Sequence, residues 1–513
     1  MIKVKMLASD GDSMLRDELH TLYAADMEYV PFRRNISVDN DGEIELTAPE
    51  YPVILNAKIV IPGYGFMWVE ANNCGMGYKD GANIEFVREA AVSRVYMVEE
   101  ELKKGGFIPS VECISKLNDA KSLLRMAETS AKAAEFNMTA LAACLWAGEL
   151  LVVERARTRI AANKIRENFL FGSAGGFSRY TKDNSSFYPF AEKPHLKEMF
   201  DSVFNFAILP FYLIDVEPER GKPNYQYIDR LLDAYEENGI KPKAHPLWWA
   251  HGDDWPKWIR DMKWKDGSVE RELHRIVKRH AERYKDRVEI YETINEAHDW
   301  CNIWNMEQDE LVEMTKMTCD DVHEVNPDAK TLINSCFMFG ENVADGKVQW
   351  GIVNERNMTP YTYFKRCEER GIDYELLGMQ LYLPSRDMMS LEKLFDRFKV
   401  FGKPIHITEL GVPSHHTDVR RSTHEGGLYC LRTMYNGTWH DMQWSERVQA
   451  DWLEDFFTIA YACPEIESCS WWKLTDAGSY IGGAGFCTDD GKPKEAYFRL
   501  KALEESWGFH FGK

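Results

Sequence analysis

No uninterrupted apolar run in this sequence is long enough to cross a bilayer. The most apolar stretch, Leu141 to Val153, is broken by Glu149 and falls short of the roughly 18 residues a span needs, which predicts a buried helix. The first residues, Met1-Ile2-Lys3-Val4-Lys5 followed by Asp10-Gly11-Asp12, lack the apolar core of an export signal. The 11 cysteines are odd in number and include no Cys-x-x-Cys pair, which argues against a disulfide framework and for reduced thiols acting as small core residues. Together these absences point to the cytoplasm, with secretion left open if an export signal has been removed. Neither His-Glu-x-x-His nor a paired-cysteine zinc spacing occurs, so no metal or other cofactor is implied. Positive charge is also scarce: 62 basic against 82 acidic residues leave a net charge of −20. Such a field repels phosphate backbones and anionic lipid, so neither nucleic acid nor a membrane surface fits as a partner, whereas a neutral ligand does.

What the chain does have is length and rings. Its 513 residues allow two or three folding units, and aromatics make up 13% of them, an excess that serves either a large core or a surface for flat apolar ligands. Residues 1–105 read as a β-rich unit, for which a carbohydrate-binding-like sandwich is one option. Its runs Ile44 to Leu46, Val53 to Leu55, Lys58 to Ile61 and Phe66 to Val69 are separated by turn pairs such as Pro62-Gly63 and Asp80-Gly81. Tyr64, Phe66 and Trp68 could serve such a module or be buried by strand alternation. Residues 106–167 read as a helical linker, with Ser110 as a helix cap and a second long pattern from about 138 to 166.

From 168 to 513, apolar runs of strand length alternate with helical patterns. The runs fall at 169–172, 204–209, 243–248, 288–294, 331–334, 376–381, 404–408 and 468–472. Eight is the number that closes a (β/α)8 barrel, the TIM-barrel member of the α/β class, whose working residues stand at the C-terminal strand ends. Two of those ends finish on glutamate: Ile294-Asn295-Glu296 on the fourth and Ile407-Thr408-Glu409 on the seventh. Two carboxyl groups facing each other across a barrel mouth suit glycosidic cleavage, one protonating the leaving oxygen and one attacking the anomeric carbon.

Six segments, in order, carry a family resemblance. They are Glu217 to Lys222 with Ala234 to Gly239, His245-Pro246-Leu247-Trp248-Trp249, Tyr284 to Ala297, Ile407 to Leu410, Trp471 to Asp476, and Asp489 to Tyr497. Over about 160–503 the chain resembles glycoside hydrolase family 10, the xylanase family of a clan of retaining (β/α)8 glycosidases. The resemblance implies Glu296 as acid/base and Glu409 as nucleophile. It also implies that Asn295 and His245 hold sugar hydroxyls, that Gln380 lies near the nucleophile, and that Trp249 and Trp472 wall the sugar subsite. Tyr480 stands where the family carries a tryptophan.

The departures are as instructive. Where the family has Glu-Asn-Glu-Met-Lys-Trp, this chain has Ile208 to Leu213, and the second histidine of the strand-three motif is Ala250. The family's Gln-Ser-His is Gln380-Leu381-Tyr382, and the aspartate two residues past the nucleophile is Gly411. That histidine and aspartate orient the nucleophile in the family; Tyr382 is expected to substitute by donating its phenol hydrogen. The expected function is a retaining glycoside hydrolase cleaving β-1,4-linked xylan-type oligo- or polysaccharides by double displacement. The alternatives are a same-clan β-glycosidase with another sugar or exo action, and a non-catalytic carbohydrate-binding barrel.

Overall fold

The computed structural model describes all residues except 34, 48, 164, 176–193, 252–253, 299–301, 348–352, 383, 417–437, 478, 480 and 513. Each of the eight apolar runs becomes a strand: β1 (Leu170–Ser173), β2 (Phe206–Pro210), β3 (Lys241–His245), β4 (Ile290–Asn295), β5 (Lys330–Ser335), β6 (Leu376–Leu381), β7 (Ile405–Leu410) and β8 (Ile466–Trp471). They pair in parallel, in chain order, and close as β8 meets β1. Continuous apolar strands of this kind are what a parallel sheet needs, because helices cover one face and side chains fill the other. The register slips between Glu292 and Ile294 on β4 and between Met379 and Gln380 where β6 meets β7. Both slips lie close to the strand ends that carry glutamate, and irregularities of this type re-aim side chains.

Before the barrel come two sheets and three long helices. One sheet has four strands, ordered Ile36–Val38, Ile44–Leu46, Ile2–Lys5 and Asn83–Glu85. The other is built on the hairpin of Ile54–Ile61 with Gly65–Ala71, turned at Pro62-Gly63 as its sequence suggests. Its far edge is completed by residues from beyond β7, since Trp439 pairs with Gly65 and the hairpin Thr438–Trp439/Met442–Gln443 extends the sheet. Tyr64, Phe66 and Trp68 are all buried, so none of them presents a ring face to a polymer.

The three helices are α1 (Phe86–Lys103), α2 (Val111–Ala127) and α3 (Ala133–Ala162). Ser110 caps α2, accepting from the Cys113 amide. Helix α1 lies inside the stretch whose sequence reads as β-rich. Glu85 caps it by accepting from the Val87 and Arg88 amides, and Phe86, Val87, Ala90, Ala91, Val95 and Val98 are buried at helical spacing. Helix α3 is, among the described residues, the one helix long and apolar enough to cross a membrane by length and composition, and most of it is buried inside the fold. The nine described cysteines are all free thiols.

Candidate active site

Inside a barrel, residues two apart on a strand face the same way, so the interior is built in layers. Leu170, Phe206, Ile290, Leu332 and Leu376 form an apolar plug low in the barrel. Two residues further along β4, β5 and β6 stand Glu292, Asn334 and Gly378, and the interior turns polar. A Cβ at Gly378 would come within 2.7 Å of Asn334 Oδ1, so the absent side chain is what lets Asn334 in. Glu292 accepts from Lys243 Nζ, from His245 Nδ1 at 2.7 Å and from Asn334 Nδ2 at 3.0 Å. Burial alone would raise its carboxyl. The adjoining His245 and Lys243 outweigh burial and bring it down to about 2. A fixed negative charge therefore sits beneath the mouth of the barrel.

Asn334 relays this layer upward. Its Nδ2 also donates to Asn295 Oδ1 at 3.0 Å, and its Oδ1 accepts from Thr408 Oγ1 at 2.6 Å. Asn295 Oδ1 accepts a second bond, from Gln380 Nε2 at 3.2 Å. With the oxygen occupied twice, the orientation of the Asn295 amide is set, and its NH2 is the donor that the network does not use.

The two glutamates are held differently. Glu296, just past β4, sits in the left-handed region at φ +50° and its amide donates to Asn334 O at 3.1 Å. Such a conformation costs a non-glycine residue energy and persists only where the surroundings enforce it. Its carboxyl receives two neutral N–H donors, Gln380 Nε2 at 2.7 Å and Trp249 Nε1 at 2.9 Å. Glu409, at the end of β7, accepts from the Tyr382 hydroxyl at 2.7 Å. Burial, and then the charge of Glu292, push the Glu409 carboxyl up to about 8, against the Tyr382 bond and the positive charges of Lys243 and Lys473. Gln380 ties the two together: it bonds Glu296 and lies opposite Glu409 in the β6–β7 register.

Most residues singled out from the sequence converge here. His245 is fully buried, held by Glu292 on one nitrogen and lying 3.3 Å from the Tyr212 hydroxyl on the other. Tyr212 belongs to the run that replaces the family's polar segment after strand two, so that run is not featureless. Trp472 packs its edge on His245 with centroids 5.3 Å apart. Trp249, expected only as a wall, also donates to Glu296 and stacks on His251 at 4.5 Å. Tyr480 lies outside the described residues. At Gly411 a Cβ would lie 3.3 Å from Trp472 O, a tight approach, and in ordinary contact with Ala484 at 3.5 Å and the Tyr382 ring at 3.6 Å.

Sequence reasoning missed Lys243, Glu292, Asn334, Thr408 and Lys473. A signal existed for the first two, because a charged residue inside an otherwise apolar strand run has to find a partner. Among the described residues, His323, Asp373 and Glu375 bring ligand atoms within 4.8 Å of one another. Glu375 directly precedes β6, at the end of the barrel opposite the mouth, and already accepts from Thr331 N at 2.7 Å.

The chain is similar to several known proteins. The profile of glycosyl hydrolase family 10 matches residues 211–503. Endo-1,4-beta-xylanase 1 of Arabidopsis thaliana is 24% identical over 361 residues, which is 68% of this chain and 32% of that protein. Endo-1,4-beta-xylanase B of Thermotoga neapolitana is 22% identical over 307 residues, covering 56% of this chain and 77% of that protein. The match to the Arabidopsis protein thus spans about a third of that relative's length. Among solved structures, native xylanase 10B from Thermotoga maritima aligns with a TM-score of 0.49 and 20% identity, over 67% of this chain and 98% of that one.

Proposed function

The chain belongs to glycosyl hydrolase family 10, and from that premise we propose that it is a retaining glycoside hydrolase acting on β-1,4-linked xylan-type oligo- or polysaccharides. The observation that carries this reading is the arrangement around Gln380, which bonds Glu296 and stands opposite Glu409 on the neighbouring strand, bringing both carboxyl groups to one buried polar mouth.

In the proposed reaction, ionised Glu409 attacks the anomeric carbon while Glu296 gives its proton to the departing glycosidic oxygen. The resulting glycosyl-enzyme is opened by a water molecule that loses its proton to Glu296, and Glu409 leaves as a carboxylate. The fixed charge of Glu292 opposes a second negative charge at Glu409. It therefore disfavours resting ionisation and favours relief of that charge through bond formation to the sugar. Tyr382 and Lys473 work in the other direction, holding the attacking form accessible. The NH2 of Asn295 would donate to the hydroxyl beside the reacting carbon, and His245, gripped by Glu292, would contact the next one by exchanging its Tyr212 partner for the sugar. The replacement of the family's polar segment by Ile208 to Leu213 supports a sugar grip beyond that point different from the family's usual one.

The test is turnover of xylo-oligosaccharides and a panel of aryl β-glycosides, with the first-formed anomer followed by NMR. Release of the β-anomer, with activity lost in both Glu296→Ala and Glu409→Ala, is the expected result. The α-anomer, or survival of activity in either variant, would refute the assignment. Wild-type sugar binding without turnover of any substrate would favour a carbohydrate-binding barrel instead.

A further inference from the structure

Two residues past β2 stands Tyr212, the fifth of the six residues that replace the family's polar segment, where that segment carries lysine. The backbone pins it beside β3. The Phe211 amide donates to the His245 carbonyl at 2.7 Å, and just beyond, the Ile214 amide donates to the Asp254 carbonyl at 2.9 Å. The phenol ring lies edge-on to His245, with centroids 5.7 Å apart, and 6.0 Å from Trp249. Tyr212 is 5% exposed, close to Glu409 at 7% and Glu296 at 9%, so it stands at the depth of the two catalytic carboxyl groups.

The hydrogen bonds around His245 assign its two nitrogens. Nδ1 lies 2.7 Å from the ionised Glu292 and carries the proton that the carboxylate accepts. Nε2 of the neutral ring is then an acceptor, and the Tyr212 hydroxyl, 3.3 Å away, is its donor. That separation is long for a hydrogen bond from a hydroxyl, where about 2.7–2.8 Å is usual. The contact is weak, and a better-placed donor can replace it. A sugar hydroxyl is such a donor, and it has lone pairs as well. Once it donates to Nε2, its oxygen becomes an acceptor for the displaced phenol. One weak hydrogen bond in the free protein gives way to two in the complex. A lysine here would bring a fixed positive charge, whereas the phenol is a neutral donor, so recognition depends on the placement of a hydroxyl.

We propose that Tyr212 is a specificity-determining residue for the sugar at the point of cleavage. With His245 it reads one hydroxyl, the second along from the reacting carbon: that hydroxyl donates to His245 Nε2 and accepts from the Tyr212 phenol. Only a group that both gives and takes a hydrogen bond satisfies the pair, so a sugar deoxygenated or methylated at that carbon is disfavoured. The assignment rests on the hydrolase reading and adds a phenol where the family's segment has none.

The test pairs the aryl β-glycoside that the full chain turns over best with its 3-deoxy analogue, in wild type and in Tyr212→Phe. Loss of one hydrogen bond should lower kcat/KM for the parent glycoside about tenfold in the variant. The 3-deoxy analogue has no hydroxyl for the phenol to meet, and its kcat/KM should stay within about twofold of wild type. A merely structural role would lower both alike. Tyr212→Met, which removes the hydroxyl in a flexible side chain, repeats the measurement if the first variant fails to fold. Equal losses on both substrates or an unchanged value for the parent would overturn the assignment. So would a faster reaction of the parent, which would make the phenol only a competitor for His245. Wild-type failure to turn over any glycoside would instead defeat the hydrolase reading, and the assignment with it.

Discussion

At the seam between the helices that precede the barrel and the barrel itself, Arg94 on α1 meets Asp387 through two 2.8 Å contacts, and both side chains are buried. At the barrel mouth Glu409 is nearly as deeply buried, yet a charged neighbour it feels strongly is another carboxylate, Glu292. The outcomes are opposite. Burial would raise Asp387, but Arg94 and Ser390 hold it below the usual carboxylate range, whereas Glu409 is driven up to about 8. The seam repeats its pattern elsewhere. Arg155 on α3 bonds Glu101 at 2.8 Å and pairs with Glu392 on α4 (Met388–Phe398), and Glu101 is brought down to about 2 by Lys104, Lys393 and Arg155 despite its burial. Buried charge that is fully matched joins two parts of a fold. Buried charge left partly unmatched keeps a free-energy gradient that chemistry can use.

Changes at each place should therefore have different consequences. The largest effect is expected from Glu409→Gln, which should lower kcat by about 10⁵-fold or more while leaving the melting temperature unchanged or raised, as read by steady-state kinetics and calorimetry. A large fall in stability would place Glu409 with the seam charges. Next comes Asp387→Ala, which strands Arg94 without a partner and should cost about 3–5 kcal/mol of folding stability in denaturant titration. The kcat of the protein that remains folded should be unchanged. A loss of rate at full stability would contradict the division.

A smaller effect is expected from Tyr382→Phe. It removes one hydrogen bond to a charged group, about 1.5–3 kcal/mol, and should reduce kcat by roughly 10- to 100-fold. Its signature is in pH: attack requires the carboxylate, so kcat/KM should rise with pH as Glu409 ionises, on a limb lying well above the ordinary carboxylate range. Because the tyrosine bond lowers the Glu409 value, the variant's limb should move to higher pH.

The subtlest effect is on folding. Glu409 holds its proton to about pH 8 when folded and loses it near 4.5 when unfolded, so unfolding releases a proton between those limits. Its contribution to stability is complete below about pH 4.5 and fades as pH climbs to about 8. Glu409→Gln should remove that slope, as followed by melting temperature against pH.

Much of this was legible in the sequence, for identifiable reasons. The eight strand runs are short and apolar because both faces of a parallel barrel are covered, and each became a strand within a few residues of its expected place. Glu296 and Glu409 stood out because strand ends face the mouth. Helix α1 was hidden because its apolar positions sit directly behind β-type runs, with the capping Glu85 as the main break. The layer of Lys243, Glu292 and Asn334 was hidden for another reason. Its meaning lies in contacts between strands about 40 to 50 residues apart, and each residue alone resembles a surface polar group. Tyr382 was readable because two family residues were missing together, a gap that a phenol can fill.

The most direct test of the two-carboxylate account is covalent trapping. The protein would be incubated with an activated 2-deoxy-2-fluoro xylobioside, digested, and its peptides weighed. The account predicts one added disaccharide mass on the peptide containing Glu409, reduced or absent in Glu409→Gln. A label on any other residue, or efficient turnover of natural substrate with no label anywhere, would contradict it.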